Sequence, residues 1–115
     1  MTTNDQASAQ IPFDAIIPMA KLTRYLLVEQ DRDDKSKFLA QAGFNLENYK
    51  ALDQALRILA ISTKAVEDRT NNYGTFYQAI GRLEGINGTH LNIVTVWLRR
   101  RIDNKFQFVT LMPHK

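Results

Sequence analysis

The sequence predicts an α+β domain with three N-terminal helices packed on one face of a three- to four-stranded antiparallel meander sheet. Two observations carry this. Apolar residues recur at intervals of three and four as far as about Ser62, and then alternate with polar ones while branched and aromatic residues take over. The alternating segments are joined by connections too short for a crossover helix, so neighbouring strands must run antiparallel, and helices placed before strands pack onto one side of the sheet. The 115 residues are enough for one core and too few for two domains. Residues 1–12 are expected to be a disordered lead-in, and residues 13–115 a single domain.

Pro18 suits a first helical position, since its missing N–H would have no partner there. Met19, Leu22, Tyr25 and Leu26 then follow at helical spacing, with Lys21, Arg24 and Glu29 opposite, predicting a short helix near residues 19–28. EQDRDD reads as a charged connection. In the next helix Asp33 or Asp34 can cap the start, and Gly43 can take the left-handed conformation that ends it, with Phe44 folding back on Leu39. The third and longest helix, capped by Asn45 or Asn48, carries Tyr49, Leu52, Leu56 and Leu59.

KAVEDRT is expected to be a short polar edge strand, and GTFYQAIGRLEG a longer one. Asn87 and Gly88 tolerate the positive φ of a tight hairpin. The strand from about His90 to Arg99 has apolar residues on both faces, which places it in the middle of the sheet. RIDNK turns the chain into KFQFVTLMP, and Pro113 ends it.

Composition removes several classes of function. There is no cysteine, so disulfides and thiolate chemistry are excluded. No apolar run approaches the roughly 20 residues of a membrane span, and MTTNDQASAQ lacks the cationic start and apolar stretch of a secretion signal, so the cytoplasm is the default expectation. The net charge of +3 is unevenly spread. Residues 64–115 carry eight basic and four acidic side chains, against seven and eight in residues 1–63. A positive second half favours an anionic partner.

The chemistry-bearing motifs are few. With His90 and His114 as the only histidines, no metal site and no cofactor are expected. DRDD lacks the glycine and glutamate of a calcium loop, and the glycines at 81, 85 and 88 lack the GK[ST] of a phosphate loop. His90, just beyond a turn, is the candidate general acid or base; a surface histidine is its commoner use. Arg99 and Arg101 share one strand face and Arg100 projects from the other. Two guanidiniums so placed can grip a phosphate. The plainer reading is that the arginines keep the sheet end solvated and pair with Glu84 or Asp103. Lys21 and Lys35 lie early in their helices, where a cation opposes the helix dipole, which marks them as further candidate anion ligands. Trp97, Tyr77, Phe76, Phe106 and Phe108 can either stack on bases or form the core under the helices.

The runs IPMAKLTRYLL, KSKFLAQAGF, YGTFYQAIGRLEGINGTHLNIVTVW and FVTLMP together resemble a small bacterial domain family of about this length, described mainly as uncharacterised, over residues 17–113. In its order of helices before an antiparallel sheet, that family is similar to the metal-independent nucleases typified by barnase and colicin-type toxins. The similarity implies RNA cleavage with His90 as acid or base and Lys21, Lys35, Arg99 and Arg101 as phosphate ligands. Sites of the barnase kind often use a glutamate with a histidine, a pair the sequence alone does not place. Two functions follow as expectations: a noncatalytic binding or interaction module, or a metal-independent RNase-like or RNA-binding domain related to toxins. The candidate partners are RNA or another protein, without a membrane, and the chain is expected to be a monomer or weak homodimer.

Overall fold

The computed structural model describes residues 8–114. It is strand-rich. A five-stranded sheet in the order β1-β2-β3-β4-β5 is formed by Ser8–Ala9, Ala65–Asn71, Gly74–Glu84, His90–Arg100 and Phe106–Pro113, each strand antiparallel to the next. This corrects the expectation of three helices on a three- to four-stranded sheet. There are more strands, and the helical part is smaller. Only α3 (Tyr49–Ile61) is long; α1 (Met19–Lys21) passes at once into a π-helical stretch, Leu22–Leu26, and α2 (Ser36–Ala40) is a little over one turn.

The departures have local causes. Pro18 is extended (ψ 126°) and precedes the helix instead of starting it. Thr23 turns its hydroxyl back to the Met19 carbonyl (3.1 Å), and Leu27 N–H reaches the Leu22 carbonyl (3.0 Å), five residues back. Asp34 does not cap α2. Its Oδ1 instead accepts from Gln30 N–H (3.0 Å) and the Ser36 hydroxyl (2.8 Å), closing the charged loop on itself and leaving Lys35 at the cap position. The Ser36 hydrogen bond, foremost among the causes, holds the Asp34 carboxyl below the usual aspartate range.

Elsewhere the local signals work as expected. Gly43 takes φ +89° and Phe44 N–H returns to the Leu39 carbonyl (3.2 Å), ending the turn after α2. Asn45 and Asn48 cap each other reciprocally over a 3₁₀ turn, Leu46–Asn48, that leads into α3.

The N-terminal segment contributes more than its composition suggests. Residues 8–12, placed by the sequence within a disordered lead-in, supply β1, paired at Ser8↔Val66 and Ala9↔Ala65, and the fully buried Ile11. Residues 1–7 lie outside the described residues. Polar bonds fasten this segment to α3. Gln10 donates to the Ala60 and Ile61 carbonyls (3.1 and 3.2 Å), satisfying groups the helix end leaves open. Arg57, held by Asp53 at 2.7 Å, donates to the carbonyls of Phe13 (2.7 Å) and Ala15 (2.6 Å).

The core lies between the helices and one sheet face. Along β4, Leu91, Ile93, Thr95 and Trp97 are buried, whereas Val94, Val96 and Leu98 on the opposite face are only half-buried. α3 crosses the sheet at Gly81, where a Cβ would stand 3.2 Å from Leu59 Cγ. Trp97 and Phe108 meet edge to face at 5.4 Å, as do Tyr77 and Phe106, each pair adding about 0.5–1.5 kcal/mol beyond area burial. The indole N–H donates to Thr95 Oγ1 (2.8 Å), which donates in turn to the Ala79 carbonyl (2.9 Å), so the buried hydroxyl is fully used. The sheet aromatics therefore serve the core, with Phe76 on the half-open side under Arg69 (4.2 Å).

Candidate functional site

The register fixes how far apart the candidates stand. At one end of the central hairpin Glu84 pairs with His90; at the other Gly74 pairs with Arg100. With roughly 3.3 Å per residue, His90 and Arg99 are about 30 Å apart along one strand. The five candidates thus do not converge. His90 is exposed beside the β3–β4 turn. Lys21 ends α1 with its Nζ 5.7 Å from the Tyr25 ring, and Lys35 precedes α2. None of these three lines the cavities around Arg99 and Arg101.

Arg99 and Arg101 do come together. They open into one shallow depression of roughly 250 Å³ with Thr70, Asn71, Thr75 and Asn104. The Arg99 guanidinium lies over the Tyr77 ring at 5.6 Å. Neither arginine has a carboxylate partner among the described residues, whereas Arg100 is engaged by Asp103 (2.8 Å) and Gln107 (3.2 Å). The expected pairing of the arginine cluster with Asp103 falls to Arg100 alone. Glu84 pairs with Arg82 at 3.7 Å.

On the other side of Arg101 lies a larger cleft of roughly 710 Å³, lined by Asn72, Tyr73, Leu98, Arg100, Arg101 and Ile102, with Gln107. Its walls are the tips of two hairpins, β2–β3 and β4–β5. Arg101 N–H to the Tyr73 carbonyl (2.8 Å) joins the tips. Gly74, at φ +144°, makes the join possible, because a Cβ there would run into the Arg99 carbonyl. On these tips Tyr73 is 73% exposed and Ile102 87% exposed.

The sequence reading missed both. Each is a single large apolar residue in a polar turn, NNYG or RIDNK, so neither belongs to a periodic pattern. The signal available was the residue type in the wrong place, since turns favour Gly, Asn, Asp and Ser.

Among the described residues no three His, Cys, Asp or Glu side chains gather as a metal site would require, and no helix is long and apolar enough to cross a membrane. What the geometry offers is an apolar cleft with a cationic rim.

No curated protein matches the chain in sequence. In fold it is similar to a chain of the contact-dependent growth inhibition toxin–immunity protein complex from Klebsiella pneumoniae 342, with a TM-score of 0.67 at 12% identity over 89% of this chain and 95% of that one. At that identity the likeness is one of fold. The sequence family described as "Domain of unknown function (DUF6883)" matches residues 13–115, nearly all of the folded part, and the chain belongs to it.

Proposed function

We propose that this domain is a noncatalytic interaction module, and that the two-hairpin end of its sheet binds an acidic surface on a partner protein. The observation that carries the reading is the exposure of Tyr73 and Ile102 on one cleft, with Arg100 and Arg101 lining it. Large apolar side chains held in water do not stabilise a fold, whereas aromatic and aliphatic anchors with arginines near them are the usual composition of interface hot spots. The backbone bond between the tips presets their spacing, which lowers the ordering cost of binding. The fold likeness to a chain from a toxin–immunity protein complex supports a domain whose work is to be bound by, or to bind, another protein.

A second reading concerns the depression on the other side. Two guanidiniums without a carboxylate partner among the described residues, beside Thr70, Thr75 and Asn104, suit a phosphodiester, which supports RNA binding at the same end. His90, about 30 Å away along β4, is too far to serve such a site as acid or base.

The two readings separate in one experiment. The full chain is incubated with labelled RNA in EDTA, and in parallel with an extract of the cells that make it, beside the variants Ile102→Asp, Arg99→Ala/Arg101→Ala and His90→Ala. The interaction reading expects intact RNA and a captured protein that Ile102→Asp loses. RNA binding that weakens steeply with salt and needs both arginines would favour the second reading. RNA cleavage abolished by His90→Ala would overturn both in favour of a nuclease.

A further inference from the structure

Antiparallel sheets leave a row of backbone N–H and C=O groups at each edge, and folded proteins close or blunt those rows. Part of this border is closed or blunted. At the start of β5 the outer side is covered by Ile16, whose N–H donates to the Phe106 carbonyl (2.9 Å) and whose carbonyl accepts from Phe108 N–H (2.8 Å), and Pro113 ends the strand. β1 covers the start of β2. The rest of β2 carries Glu67, Asp68 and Arg69 across a register break, a charged and bulged edge.

β3 is open where a groove lies beside it. β2 reaches only Gly74–Gln78 of it, and among the described residues no strand pairs with 80–84 on that side. The Thr63 hydroxyl donates to the Ile80 carbonyl (3.3 Å), which fixes Ile80's polar groups as facing outward. By alternation Arg82 and Glu84 turn their N–H and C=O groups the same way. Among the described residues those groups have no hydrogen-bond partner. Beside them runs a groove of roughly 640 Å³, whose floor is the flank of α3 at Ala51, Ala55 and Ile58. On that floor Ile58 remains 45% exposed.

We propose that this groove receives an extended segment of another protein, added to β3 at Arg82 and Glu84 as an antiparallel strand. Backbone and side chains divide the recognition. In antiparallel pairing Arg82 and Glu84 each exchange two hydrogen bonds with the residue opposite. Every second side chain of the added strand turns toward α3 and must be apolar. Those between face solvent, where an acid opposite Arg82 and a base opposite Glu84 complement the edge. A lone strand fits where a second copy does not, because α3 underlies the groove and a copy approaching edge to edge would bring its own α3 into the same layer. The site lies on the opposite half of the sheet from the hairpin-tip cleft and is independent of it.

The capped peptide Lys-Val-Glu-Val-Ile is written for this register, its lysine opposite Glu84 and its glutamate opposite Arg82. Titrated into the isotope-labelled full chain, it is expected to shift the Arg82 and Glu84 amides saturably and to slow their hydrogen exchange. N-methylation of the peptide at its lysine and glutamate removes binding, whereas N-methylation of the valine between them, whose N–H points away from β3, leaves it. Ile58→Asp, a change of an exposed side chain, weakens binding about tenfold, or roughly 1.4 kcal/mol. The proposal is overturned by shifts confined to other residues, by equal effects of the two methylation patterns, or by no saturable shift at millimolar peptide. Protection of residues 80–84 that rises with protein concentration in the absence of peptide would also overturn it, assigning the edge to a second copy.

Discussion

The two ends of the sheet are made of the same parts, tight turns between long antiparallel strands, and the molecule treats them differently. The β3–β4 turn is tied to the helical layer. Ile86 N–H donates to the Ala42 carbonyl (2.9 Å) and Asn87 Nδ2 to the Gln41 carbonyl (3.1 Å), while Gly85 N–H closes the turn itself on the Thr89 carbonyl (2.8 Å). The β2–β3 and β4–β5 turns at the far end are joined to each other, through Arg101 and Tyr73, and their tips project. One end is anchored by the fold, while the other is presented by it. Apolar residues in a turn are therefore informative when their turn is free, because folding has no use for them there.

This contrast is sharpened first by glycine substitution at the anchored end. Gly85→Ala would press a methyl group onto Ala42 and the Thr89 carbonyl, and a cost of about 3 kcal/mol is expected by denaturant unfolding. At the free end the expected effect falls on binding instead. Tyr73→Ala and Ile102→Asp leave stability within about 0.5 kcal/mol of wild type, and each weakens the captured partner by about tenfold or more. A large loss of stability from either would mean that the tips are structural and would break the comparison.

Asn87→Ala sharpens it further. The variant loses the donation to Gln41 and the acceptance from Thr89 N–H (3.0 Å), a cost of about 1 kcal/mol with no effect on partner capture. The smallest effect expected is electrostatic. Because Asp34's folded pKa is depressed, its contribution is complete above the ordinary aspartate range and is lost as pH falls through the lower folded value. Asp34→Asn should remove that part of the acid dependence, read from unfolding midpoints compared across acidic pH; an unchanged profile would mean that the Ser36 and Gln30 bonds do not persist in solution.

The sequence made the hairpins legible because alternation and turn chemistry are local. Asn87 and Gly88, the Gly43–Phe44 terminus and the two-faced apolar pattern of β4 each depend on residues a few positions apart. What escaped it depends on distant partners. β1 is a two-residue pairing between Ser8–Ala9 and Ala65–Val66, with no periodicity to announce it, and the lead-in is held by Gln10 and Arg57 reaching across to backbone carbonyls. The helical signals were overread for a related reason. Asp34 prefers the Gln30 and Ser36 bonds to the cap position, and Pro18 stands before the helix. At the candidate site, the sequence placed Arg99 and Arg101 on one surface and His90 at the other end of the same strand, but could not show that Tyr73 and Ile102 come together across two turns.

The most direct test of the free-end account is site-specific photocrosslinking in the cells that make the protein, with a photoreactive residue at position 102 in one chain and at position 86, on the anchored turn, in another. One discrete protein adduct is expected from position 102 and none from position 86. Equal adducts at the two positions, or an adduct to RNA at position 102, would contradict it.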